Sequence, residues 1–143
     1  MTGYKAYQGQ QIEGAGPLGL VLLSYEALYK SLGHARRAID MGDMTIEADQ
    51  TARAMEAIIQ LSNGLNMEEG GKIASGLASL YAYMMKSLSE GMCSGSTAHV
   101  DEVIQLVSTL REGWLQLQQQ QQQQRSAVKR PVSQPAQMMA YGY

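Results

Sequence analysis

The chain has 143 residues, 45% of them hydrophobic and 17% charged, with no Phe, one Trp, eight Tyr and ten Met. That is enough for one domain with a useful core and too little for two. A net charge of −2 excludes a nucleic-acid binder that works by neutralising many phosphates, and the single cysteine, Cys93, excludes a disulfide framework or a multi-cysteine zinc site.

Residues 1–16 read as an N-terminal segment. Met1 to Gln11 holds one Lys and no apolar stretch, so it is not a signal peptide, and a reducing cytoplasm is the expected location. The first helical pattern opens at Pro17, a favourable first position. Its apolar face is Leu18, Val21, Leu22, Tyr25, Leu28, Tyr29, Leu32, Ala35 and Ile39, spaced by three and four. Leu18 to Leu23 is the longest apolar run, far below the ~20 residues needed to cross a bilayer, so no membrane insertion is expected.

Gly42 supplies a stop, and Asp43 or Thr45 can cap the second helix. This helix has two adjacent stripes: Ala48, Ala52, Met55, Ile59 and Ser62, and beside them Ala54, Ile58, Leu61 and Leu65. A face that wide implies burial against two neighbours, or against one neighbour and a ligand. A break follows at Asn66 to Gly71. The third helix carries Ile73, Leu77, Leu80, Tyr81, Met84 and Leu88, with Tyr83 and Met85 to the sides. Gly91 to Gly95 is a loop, and Ser96 or Thr97 caps a fourth helix with the face Val100, Val103, Ile104, Val107, Leu110, Trp114 and Leu117. Four such helices with short connections predict an all-α, antiparallel four-helix bundle over 17–117.

Residues 1–115 hold 8 Lys+Arg and 13 Asp+Glu, a net of −5; residues 116–143 hold Arg125, Lys129 and Arg130 and no acid, a net of +3. The run Gln118 to Gln124, with Pro131 and Pro135 beyond it, predicts a basic, mostly disordered tail over 118–143. Gln is a good helix former, so the first of these residues can continue the fourth helix.

The polar residues do not assemble a catalytic motif. Ser31 and Ser96 stand three residues before His34 and His99, so there is no Glu-x-x-His pair for a di-metal bundle. Gly71-Lys72 leads into Ile73, which breaks the P-loop pattern. Cys93 sits between two helices rather than on a strand-to-helix elbow and reads as a partly buried small side chain. His34 and His99 read as solvated or locally bonded. Glu26–Lys30, Arg36–Asp40 and Asp49–Arg53 are expected surface pairs. No catalytic residue, cofactor or metal is expected. The methionines at 41, 44, 55, 67, 84, 85 and 92 are either gap-fillers in a core short of aromatics or the lining of a groove for an amphipathic helix.

The segment Leu65-Asn66-Met67-Glu68-Glu69-Gly70-Gly71-Lys72-Ile73-Ala74, followed by Leu77, Leu80-Tyr81, Tyr83-Met84 and Leu88, resembles the signature of the flagellar secretion chaperone family FliS. Ala6-Tyr7-Gln8, Pro17 to Ala27, and Leu110-Arg111-Glu112-Gly113-Trp114 resemble further motifs of that family, in order, over about residues 4–115. Gly16 replaces the family's Ser or Thr before Pro17, and the Gln-rich tail lies outside the pattern.

The resemblance implies a non-enzymatic, cytoplasmic chaperone. It would bind the disordered C-terminal segment of flagellin, prevent premature polymerisation and deliver the subunit to components of the flagellar type III export apparatus. An adaptor for another secreted or regulatory protein is the alternative. The expected client surface lies over helices two to four: Ile58, Leu61, Leu65, Met67, Leu80, Tyr81 and Met84, with Tyr7 and Ile12 from a movable N-terminal segment. Gly70 and Gly71 are expected to set backbone geometry. A monomer or a weak homodimer is expected, the latter through an empty client groove.

Overall fold

The computed structural model describes the backbone of residues 2–129 and the side chains of residues 17–127. It has four helices: α1 Thr2–Met41, α2 Met44–Asn63, α3 Met67–Gly91 and α4 Ala98–Lys129. Each packs on the next and α4 closes back on α1, so the order around the bundle follows the chain. The directions alternate. Arg36 on α1 meets Asp101 on α4 at 2.6 Å, and Glu26, ten residues earlier, meets Arg111, ten residues later. On α3 and α4, Tyr83 bonds Glu102 while Ser87 bonds His99.

The helix ends follow their local chemistry. Asp43 accepts from the Ile46 N–H at 3.1 Å and caps α2, which decides between the two candidates there. Asn66 does the same for α3, accepting from Glu69 N–H at 3.0 Å. Asn66→Ala should destabilise the bundle by about 1 kcal/mol, read from the urea midpoint. At α4 both predicted residues take part: the Ser96 hydroxyl accepts from Ala98 N–H, and the Thr97 carbonyl receives the first helical bond, from Asp101.

α3 is bent at Gly71, whose φ of 51° and ψ of −126° suit only a residue without Cβ. Gly70 is needed for a different reason: a Cβ there would lie 2.6 Å from the Ala74 Cβ. The predicted break at Asn66 to Gly71 is thus a single-turn opening that re-aims the long part of the helix, and the two glycines set that geometry.

Two boundaries differ from the sequence reading. α1 does not begin at Pro17; it runs through it, the missing N–H and ring being absorbed inside the helix. α4 does not end near Leu117; it continues through all seven glutamines to Lys129, because Gln retains helix propensity even where no core faces it. Residues 130–143, the rest of the predicted tail, lie outside the described residues.

The core is built from Tyr25, Leu28, Leu32 and Ala35 of α1, Ala54, Ile58 and Leu61 of α2, Tyr81, Met84 and Leu88 of α3, and Val100, Val103 and Val107 of α4. Tyr25 and Tyr81 reach across the bundle diagonal and join hydroxyls at 2.6 Å. Burial raises the pKa of both phenols, so the pair stays neutral and one hydroxyl donates to the other. Trp114 lies tilted against Tyr25, ring centroids 6.2 Å apart, and is only partly buried.

Candidate functional site

The double stripe on α2 resolves into two environments. Ala54, Ile58 and Leu61 enter the core, whereas Ala48, Ala52 and Ile59 are exposed and Met55 is half-buried. Glu47 of α2, itself buried, accepts from the Cys93 N–H at the end of α3. From that anchor the antiparallel register brings Met55 level with Met85 and Ile59 level with Tyr81. On α3 the flank bearing Tyr83 and Ser87 faces α4, so Ala78, Ala82 and Met85 lie on the α2 side. Along the α2–α3 seam lies a strip of small and apolar side chains, with Ala52, Ile59 and Ala82 exposed and Met55, Ala78 and Met85 half-buried. At the α2–α3 turn Leu65 is half-buried and Met67 exposed, and Ile73, one heptad before Leu80 on α3, is 77% exposed.

The residues expected at the client surface fall into three groups. Ile58, Leu61, Tyr81 and Met84 are core residues, between 0% and 7% exposed, and a ligand on the surface of this bundle does not reach them. Leu65 and Met67 lie at the α2–α3 turn, half-buried and exposed, and Leu80 is half-buried on the α4-facing flank with Tyr83. The side chains of Tyr7 and Ile12 lie outside those described. Ile59, Ile73 and Met85 were absent from the expected set. For Ile59 the first stripe on α2 was the available signal, but periodicity alone does not say which of two adjacent stripes faces inward.

The polar surface is largely structural. Arg36–Asp40 and Asp49–Arg53 form at 3.2 Å, as expected. Glu26 instead pairs with Arg111 of α4, because the register puts that guanidinium within reach; it also lies over the Tyr29 ring. Asp101 binds Arg36 and Thr97. Partial burial pushes its carboxyl up, but the two hydrogen bonds together outweigh that and its pKa falls below the ordinary value. The pair's contribution is therefore full above the ordinary aspartate range and fades as acid takes the pH down through the lowered pKa. Arg37 donates to His34 Nδ1 at 2.7 Å, and His99 packs on Gly91 and bonds Ser87. Cys93 is exposed, not partly buried as read from sequence, since its φ of 59° places it in a tight loop. No group of three or more His, Cys, Asp and Glu suited to a metal occurs among the described residues, and no helix there is long and apolar enough to cross a membrane.

A second concavity lies at the opposite end from Glu47. Ser87 bonds His99, so Leu117 of α4 comes level with the first turn of α3, and α4 beyond it has left α3 behind. Pro17, Leu18, Val21, Trp114, Leu117 and Arg125 enclose an open cavity of about 740 Å³ there.

Residues 1–121 match the family model described as flagellar protein FliS. The chain is 30% identical over 121 residues to the flagellar secretion chaperone FliS of Salmonella typhimurium, covering 81% of this chain and 90% of that one. It is 31% identical over 118 residues to the flagellar secretion chaperone FliSB of Pseudomonas aeruginosa (80% and 94% covered). With FliS of Bacillus subtilis the identity is 27% over 113 residues (79% and 84% covered). The chain belongs to the FliS family of flagellar secretion chaperones.

Proposed function

We propose that this chaperone holds the disordered C-terminal segment of flagellin in the cytoplasm, keeps it from polymerising and hands it to the flagellar export apparatus. The carrying observation is the run of unburied apolar side chains along α2 and the start of α3, Met55, Ile59, Leu65, Met67 and Ile73, in a member of the FliS family. Leu80 and the N-terminal segment with Tyr7 and Ile12 extend the same reading. A flagellin terminus polymerises by packing amphipathic helices against neighbouring subunits, and a groove that takes those faces first blocks that step. The client folds as it binds, at an ordering cost of ~2–5 kcal/mol, which keeps affinity compatible with release.

The test is titration with a peptide spanning the C-terminal segment of the organism's flagellin. A gain in helical circular dichroism saturating at one peptide per chain supports the reading. No binding at roughly tens of micromolar removes it, and leaves an adaptor for a different protein. Ile59→Ser and Ile73→Ser should each weaken the peptide about tenfold, the effect of losing one buried aliphatic contact. The same variants should shift folding stability by less than about 0.5 kcal/mol, since neither side chain is buried in the free bundle.

A further inference from the structure

The geometry points to the outer seam between α1 and α2 as a second docking surface, one that takes an acidic segment of a protein partner. Its carboxylates would sit in turn on Lys30, His34 and Arg37 of α1, with Arg53 of α2 opposite.

The seam is open because the residues along it are short. Ser24, Ala27 and Ser31 of α1 and Ala57 of α2 leave a trough of about 580 Å³. It runs from Leu23 and Gln60 to His34 and Gln50, about 16 Å along α1. Its two halves differ in character. Leu23, Ala27 and Ala57 make the first apolar, whereas the cations stand toward the second.

Charge sets the occupant. Residues 1–115 hold 8 Lys+Arg against 13 Asp+Glu, yet in and beside this trough Lys30, Arg37 and Arg53 outnumber Asp49 and Glu56. Glu26, four residues before Lys30, is held by Arg111 of α4. Lys30 and Arg37 consequently form no ion pair among the described residues. Arg37 donates to His34 Nδ1, which leaves the imidazole N–H on Nε2, so that ring also has a donor to offer. Arg53 holds Asp49 through Nε alone, and its side chain is still 66% exposed. Glu56, nearly one turn on from Arg53, ends the cationic half.

Spacing favours a segment over a single ion. Lys30, His34 and Arg37 follow one another at about a helical turn, roughly 10 Å from first to last, too far for one small anion to bridge. Carboxylates on alternate residues of an extended chain recur every ~6.6 Å and meet those cations in succession. An aliphatic residue of the same segment then reaches Leu23 and Ala27. This surface lies on the other flank of α2 from Met55 and Ile59, so it is separate from the strip assigned to the client.

The probe is a peptide of about ten residues, one terminal leucine and the rest glutamate, titrated into the isotope-labelled full chain at about 20 mM salt, where surface charge is least screened. Amide resonances of Ser31, His34, Gln50 and Arg53 should shift and saturate with a Kd of about 0.1–1 mM, while those of Ile59 and Ile73 stay in place. K30E/R37E replaces two exposed side chains, so helical circular dichroism should be unchanged while the peptide weakens at least about tenfold. K72E, on α3 diagonal to α1, should bind as the native chain does. Equal binding to K30E/R37E overturns the proposal, and so does an equal loss in K72E, which would mean diffuse charge. Inorganic phosphate that saturates the same shifts at the same concentration overturns it in favour of a small-anion site. No saturable shift by about 5 mM peptide removes it altogether.

Discussion

Replacing Met84 with alanine is expected to lower the unfolding free energy by about 2 to 5 kcal/mol. Its side chain is fully buried between Tyr81 and Leu88 of its own helix and the facing core residues, so truncation leaves a cavity the neighbours only partly fill. Urea denaturation should show the loss as a lower midpoint with an unchanged slope. The same variant, studied at low temperature where it is folded, should bind the flagellin peptide as the native chain does. A Met84 variant of native stability and weakened binding would reverse the assignment and make this residue a client contact. The contrast with Ile73→Ser separates packing from recognition on one helix.

Tyr81→Phe is expected to cost about 1 to 3 kcal/mol, because it removes the Tyr25 hydroxyl's 2.6 Å partner in the core. Tyr25→Phe should cost a similar amount. The double variant Y25F/Y81F removes donor and acceptor together and should lie within about 1 kcal/mol of the native chain, far less than the sum. Additive losses would mean that the hydroxyls act separately. This diagonal pair joins two helices that are not neighbours around the bundle, so it fixes which layer of α3 sits opposite which layer of α1.

Much of this architecture was legible from residue spacing. The faces of α1 and α4 were, from Leu22 to Ala35 and from Val100 to Trp114, because a single apolar stripe has one way to be buried. Asp43 announced α2 through a side chain that can accept an N–H, whereas Asn66, read only as the start of a break, proved to be the cap of α3. The tail of α4 was harder. Polyglutamine carries no apolar period, so nothing in its pattern distinguishes a solvated helix from coil, and propensity decides. The proposed client surface was hardest. Ile58 and Ile59 are adjacent in sequence and identical in chemistry; one is 1% and the other 48% exposed, a difference made by α1 and α3 and not by either residue. Glu26 was paired with Lys30 on spacing alone, and only the α1–α4 register selects Arg111.

The order of the helices around the bundle has a consequence for how the protein forms. Three of its four seams join helices consecutive in the chain, through connections as short as Gly42-Asp43, so each closes almost as soon as its second helix exists. The seam between α1 and α4 alone joins helices distant in the chain, and it carries Arg36–Asp101 and Glu26–Arg111. Mostly local pairing makes for rapid folding on or just off the ribosome. Under the function proposed above, that speed completes the bundle before the freshly made subunit it would receive.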